Sequence, residues 1–405
     1  MSEPIVKQAA NVVKTASNSL SKPDIAKFIP RRQFPDYRVV LAQFKGHQNK
    51  ALQKMTHLAP QINLVVELRD ARSPLSTSNV LIDKVFRNKD KLILYTKNDM
   101  SPLNNKLLKE WHTSRNEDFM AIDCKKSGDV NAVLKELRRK FSLVFPPPPL
   151  GLRLMVVGMP NVGKSTLVNG LRKFGMDSPN FKKVAKTGNL AGVTRNTSEI
   201  IRISSQPEIL LYDTPGVLLP QVNDIKTMLS LYMIGTVSNN EIDPVIAADY
   251  LLYMMNLADR TGKGYKKYLN HPTNDIYELL DAIGKKTGNR NKRKIDGKFK
   301  TNYVGCALEL VTDFQQGRLG KWCLDEAVVR RLSGDKFTEH LETERQRVEG
   351  MKSKLRIGEL DGGSESNSKG TSSGSNSSSS SSNSRKSAWE RRQARIIKQS
   401  NQLFV

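Results

Sequence analysis

The run Gly158-Met159-Pro160-Asn161-Val162-Gly163-Lys164-Ser165 carries Gly, Gly, Lys and Ser at the spacing of a phosphate-binding loop. An apolar stretch ending at Val157 precedes it and a helix-compatible stretch follows. Glycines let a backbone wrap closely around a polyphosphate. Successive N–H groups and the start of a helix add positive potential there. Asn161, Val162, Gly163, Lys164, Ser165 and Thr166 are therefore candidate nucleotide contacts. Lys164 is placed to reach the β- and γ-phosphates, and the Ser165 hydroxyl to ligate Mg²⁺.

Other residues complete such chemistry. Asp213-Thr214-Pro215-Gly216 follows the apolar run Ile209 to Tyr212. Asp213, at a strand end beside a phosphate loop, can hold Mg²⁺ through water, and the Gly216 N–H can sense a γ-phosphate. Between the two motifs lies Gly192-Val193-Thr194-Arg195, in which the Thr194 hydroxyl can close over the metal. Thr96-Lys97-Asn98-Asp99 follows another strand. A carboxylate at Asp99 accepts both the ring N–H and the exocyclic amine of guanine, whereas adenine leaves it unpaired. Asn98 is expected to tie this loop to the phosphate loop, and Lys97 to pack its stem along the base. Asp123-Cys124-Lys125 offers a backbone N–H to the guanine oxygen. GTP with Mg²⁺ is the expected ligand pair.

These loops need strands to hold them. Short apolar, β-branched runs at Ile62–Leu68, Lys91–Tyr95, Phe119–Ile122, Leu152–Val157 and Ile209–Tyr212 read as buried strands. Helical stretches alternate with them, at Asp129–Phe141 and Lys164–Lys173. The expected fold is α/β, a mostly parallel sheet covered on both faces. The guanine-reading pieces precede the phosphate pieces, so the order is circularly permuted, and the displaced chain ends need an anchor elsewhere. Residues after about 240 supply a small helical domain suited to that anchoring. The expected boundaries are 1–30 for a flexible or targeting segment, 31–240 for the nucleotide domain, 241–340 for the helical domain and 341–405 for a Ser/Gly/Asn-rich and basic tail.

Composition narrows the partners. The chain has 405 residues and a formal net charge of +25. That surplus favours nucleic acid or an anionic membrane face. Arg290, Lys292, Arg293, Lys294, Lys298 and Lys300 form a basic stretch, read either as a solvated loop or as an RNA phosphate contact. Three dispersed cysteines argue against a disulfide framework, and five histidines with no C-x-x-C pair argue against a structural zinc site. No apolar run is long enough for a membrane span.

Taken together, the motifs resemble the circularly permuted GTPases that assist large ribosomal subunit assembly, the YlqF/RbgA family. The resemblance rests on Thr96–Asp99, Gly158–Ser165, Thr194 and Asp213–Gly216, together with Asp70-Ala71-Arg72-Ser73-Pro74 and the stretch Phe314 to Gly320. Asp123 stands where the family often has Ser. The resemblance implies GTP hydrolysis with a low basal rate stimulated by the ribosome. It also implies His47 as a water-orienting group, since Val217 stands where many GTPases carry Gln, and Asn161 as a ligand for an activating K⁺. Relatives in mitochondria imply the mitochondrial large ribosomal subunit, with its rRNA and ribosomal proteins, as partner. They imply peripheral association with the matrix face of the inner membrane, a role in mitochondrial translation, and a monomer. A nucleolar or cytosolic assembly GTPase and a catalytically dead RNA scaffold are the alternatives.

Overall fold

A computed structural model describes residues 28–325 apart from 36, 38–45, 104, 114–115, 177–199, 218–223, 239–240 and 293–298, together with isolated residues from 339 to 346. Its centre is β1 (Leu64–Asp70), a strand buried along its whole length. It lies between β2 (Asp90–Thr96) and β4 (Leu152–Gly158), parallel to both. Neighbours on both edges and cover on both faces explain its unbroken burial. β3 (Asp118–Ala121) extends the sheet beyond β2. β6 (Glu208–Asp213) runs parallel to β4, and β5 (Ile200–Ser205) closes that edge antiparallel to β6. The order is β3-β2-β1-β4-β6-β5. Strands β1 to β3 occupy one half and β4 to β6 the other, so the permutation exchanges their order along the chain and leaves the sheet unbroken.

Among the described residues the sheet has five parallel strands and one antiparallel, the mostly parallel α/β arrangement expected. Register aligns the carboxyl ends. Asp70 pairs with Thr96, Tyr95 with Ala121, Leu68 with Gly158 and Val156 with Asp213. Every loop singled out above on a described strand thus leaves from one edge. The two halves meet between β1 and β4, the switch point at which open α/β sheets bind ligands.

Helices α1 (Gly46–Leu58), α2 (Val80–Val85), α3 (Asn105–Thr113), α4 (Ser127–Leu143), α5 (Lys164–Gly175) and α6 (Ile225–Met233) accompany these strands in the chain. Gly170 of α5 sits so close to α4 that a Cβ there would stand 3.1 Å from Val130 Cγ1. Beyond them come α7 (Pro244–Ala258), α8 (Ile276–Thr287) and α9 (Tyr303–Gln315). The carboxylate of Asp243 caps α7, accepting from the Val245 N–H at 2.8 Å, with Pro244 in the first turn. The basic stretch forms a short hairpin, β7 (Arg290–Lys292) with β8 (Phe299–Thr301), while residues 293–298 lie outside the description. Among the described residues no helix is long and apolar enough to cross a membrane.

The early chain is anchored on α7. Arg31 forks onto Asp249, with Nη2 to Oδ1 at 2.5 Å and Nη1 to Oδ2 at 3.1 Å. Phe34 packs edge-on against Tyr250 at 5.3 Å between ring centroids and touches Tyr253 at 5.5 Å. A bidentate guanidinium–carboxylate pair adds direction to this aromatic burial. The helices after 240 therefore hold the start of the permuted domain.

Candidate nucleotide site

Phosphate-loop geometry begins at Gly158. Its φ is +142°, and a Cβ there would meet the Leu68 carbonyl oxygen at 2.5 Å, so only glycine fits between β1 and the loop. Gly163, at φ +102°, caps α5. Lys164, first in α5, is buried, and its ammonium donates to the carbonyl oxygens of Met159 at 2.7 Å and Gly158 at 3.2 Å. Burial pulls its pKa down to about 8, although the nearby Asp213 carboxylate works against that. Ser165 is half-buried and Thr166 exposed on the first turn of the same helix.

Asp213 ends β6, beside the loop. It is buried, and its Oδ1 has no hydrogen-bond partner among the described residues. Burial raises its pKa, with Lys164 opposing. An orphaned buried carboxylate oxygen is costly unless something meets it, and a divalent cation fits this donor. The chain then turns over the loop. The Thr214 hydroxyl donates to Val156 O at 2.6 Å, and Val217 N–H to Gly158 O at 3.3 Å. Gly216 lies against Pro160, where a Cβ would come within 2.5 Å of the proline nitrogen. Val217 is fully buried, so this position offers no group to an attacking water.

The guanine-reading loop meets the phosphate loop directly. Thr96 Oγ1 donates to Val162 O at 2.6 Å, and Lys97 Nζ to Asn161 O at 2.9 Å. These two residues make the tie that was expected of Asn98; among the described residues the Asn98 side chain makes no hydrogen bond to the phosphate loop. Asn98 instead joins the third loop through its backbone N–H, which donates to Ile122 O at 3.2 Å. Asp99 is half-buried in the 3-10 turn Asn98–Met100. Cys124 also reaches the centre, since a Cβ on Gly163 would stand 3.8 Å from its Sγ and 3.9 Å from Thr96 Cβ. The Asp123 carboxylate accepts the Lys125 N–H at 2.9 Å, so that N–H is engaged in the turn itself.

Asn161 adopts φ +59° and donates from Nδ2 to Gly235 O at 2.6 Å, joining the phosphate loop to the turn after α6. His47 lies in the first turn of α1, and its side chain is outside the described residues. Thr194 lies outside them altogether.

Several residues around the site were not singled out for it from sequence. Asn79 Nδ2 donates to Val217 O at 2.8 Å and so braces the end of the switch turn. Asp325 is buried and accepts from Leu75 N–H, Ser76 N–H and Ser76 Oγ at 2.9, 2.8 and 2.8 Å. Burial pushes its pKa up to about 6 against those bonds. The backbone just before it crosses the guanine-loop side, with Trp322 N–H donating to Met100 O and Leu324 N–H to Arg72 O. In the sequence, nothing more local than the stretch Phe314 to Gly320 and the turn Asp70 to Pro74 signals this strap.

The family profile described as 50S ribosome-binding GTPase matches residues 153–297. The chain is 46% identical over 282 residues to Mitochondrial GTPase 1 of Saccharomyces cerevisiae, a match covering 64% of this chain and 77% of that protein. It is 33% identical over 294 residues to Ribosome biogenesis GTPase A of Bacillus cereus, covering 70% and 93%. The crystal structure of GNP-bound YlqF from T. maritima overlaps 68% of this chain and 97% of its own at 22% identity, with a TM-score of 0.45.

Proposed function

This chain belongs to the YlqF/RbgA family of circularly permuted GTPases that act in ribosome assembly, and we propose that it hydrolyses GTP to GDP and phosphate on the mitochondrial large ribosomal subunit. Its task there is late assembly of that particle and support of mitochondrial translation. The observation that carries this reading is the convergence of the guanine-reading and phosphate loops, through Thr96 on Val162 and Lys97 on Asn161.

Each part has a role. Asp99 selects guanine, with Lys97 along the base and the 123–125 turn at the guanine oxygen. Loop N–H groups from Asn161 to Thr166 cradle the phosphates, and Lys164 leaves its carbonyl partners for the β- and γ-oxygens. A bound Mg²⁺ neutralises charge on those oxygens; Ser165, Thr194 and Asp213 are its proposed holders, and the unpartnered Asp213 Oδ1 supports this. Gly216 presents its N–H to the γ-phosphate. Because Val217 cannot orient water, hydrolysis is slow in the free protein, and His47 supplies the polar group when the subunit binds. K⁺ against Asn161 is the proposed further source of positive charge at the leaving oxygens.

The basic hairpin β7–β8 is the proposed rRNA contact, and the protein works as a monomer on the matrix side of the inner membrane. Single-turnover GTP hydrolysis, with K⁺ or Na⁺ and with or without mitochondrial large subunits, tests the reading. Slow turnover raised by both K⁺ and subunits is expected. Equal rates in all four mixtures, or a Lys164→Ala protein as active as wild type, would overturn it.

A further inference from the structure

A closed ring of polar contacts surrounds the tie between the guanine and phosphate loops. It starts at Asp70, the last residue of β1, whose side chain is buried. Asp70 Oδ1 accepts the Arg72 backbone N–H and Nε, each at 3.0 Å, and Oδ2 accepts Arg72 Nη2 and Lys97 Nζ, each at 2.8 Å. Both carboxylate oxygens are thus fully used. Burial pushes the Asp70 carboxyl up, but Arg72 and Lys97 together outweigh it and hold it well below the usual carboxylate range.

From Asp70 the ring runs two ways. Lys97 continues to Asn161 O, and Asn161 Nδ2 to Gly235 O. In the other direction Arg72 Nη1 donates to Gln315 O at 3.3 Å, and its guanidinium lies 5.5 Å from the centre of the Phe314 ring. Gln315 closes the circuit. Its Nε2 donates to Tyr232 O at 3.4 Å, the same oxygen that accepts the Gly235 N–H at 2.9 Å. The last turn of α9 therefore touches both the guanine side and the phosphate side of the pocket.

Lys97 needs such a hold. Its backbone is left-handed, at φ +56° and ψ +35°, a region unfavourable for a residue with a Cβ. Its ammonium has few directions open, because one donor goes to the phosphate loop and another to Asp70. A lysine is a flexible point charge, and only partners on two sides fix where its stem lies.

We propose that Asp70 is a positioning residue for guanine-nucleotide binding: it fixes the Lys97 ammonium, and through Arg72 it ties that ammonium to the end of α9, so that the helical region sets the shape of the pocket. The inference rests on the guanine pocket proposed above. It assigns to Asp70 and Arg72 a task at the nucleotide site rather than a purely structural one in the core.

A double-mutant cycle on nucleotide affinity separates these. Dissociation constants for GDP are measured for full-length wild type, Asp70→Asn, Lys97→Ala and the double variant, alongside thermal midpoints in nucleotide-free buffer. Losing one charge-assisted hydrogen bond predicts about tenfold weaker GDP binding by Asp70→Asn. If Asp70 acts through Lys97, adding Asp70→Asn to Lys97→Ala weakens binding by less than about twofold further. Full multiplicative effects would overturn the inference, whatever happens to the thermal midpoints. Where Asp70→Asn does not fold, Arg72→Lys, which keeps the charge but loses the fork, replaces it in the same cycle with the same two outcomes. Wild type that fails to bind GDP would defeat the guanine pocket itself, a result distinguishable from an additive cycle.

Discussion

Lys164 and Asp213 illustrate how single residues here are tuned by burial. The ammonium is desolvated, and its pKa falls to about 8. Phosphate oxygens favour the charged form, so binding requires the proton that the free lysine has half lost at that pH. Below about pH 7 the lysine is charged in both states, and affinity is insensitive to its titration. Above it, each bound nucleotide takes up a proton and affinity falls. GDP should bind about tenfold more weakly at about pH 9 than at about pH 7, with proton uptake visible by calorimetry in buffers of different ionisation enthalpy. Flat affinity over that range would mean that Lys164 keeps its charge without phosphate. At this scale the sequence was most readable where chemistry restricts residue type. Gly158, Lys164, Ser165, Asp213 and Asp99 announce themselves because few other side chains can do those tasks. Asp70 did not, because a carboxylate at a strand end gains its role only from Lys97, 27 positions later, and Arg72.

Elements set the tolerances around these residues. Gly216 sits on Pro160 with no room for a methyl group. Gly216→Ala should therefore push the switch turn off the phosphate loop. Ribosome-stimulated GTP hydrolysis is expected to fall about 100-fold, as when one transition-state donor is lost, while GDP affinity changes by less than about threefold, since the diphosphate has no γ-phosphate for that turn to meet. Equal losses in both would show that the turn shapes the whole pocket. Parallel strands were legible from apolar runs, because burial on both faces demands them. The antiparallel edge strand β5 was not. Its sequence, Ile-Ile-Arg-Ile-Ser-Ser, is short and half exposed, and pairing with β6 decides its state. The strap from Trp322 to Asp325 was equally hidden. Its hydrogen bonds go to residues more than 200 positions earlier, a closure that no local pattern encodes.

For the whole molecule, a charge of +25 and the exposed Phe299 and Lys300 of β8 describe a body suited to a polyanionic particle. Affinity for the large subunit should fall steeply with salt, because phosphate contacts release counterions. Replacing Arg290 and Lys300 together by Ala should lower the slope of log affinity against log salt by about two. An unchanged slope would move the RNA contact away from the hairpin. The permuted order was readable from motif order alone. That Arg31 would be clamped to α7 through Asp249 needed three dimensions, since only the fold brings those 218-residue-separated partners together.

All of these expectations depend on one pocket in which Asp99 reads guanine while the Lys164 loop grips phosphate. Competition of unlabelled nucleotides against a fluorescent GDP derivative on the purified full-length chain tests it most directly. GTP and GDP should displace the probe at least about 100-fold more effectively than ATP or ADP, and Asp99→Ala should remove most of that preference. Equal displacement by adenine and guanine nucleotides in wild type would contradict it.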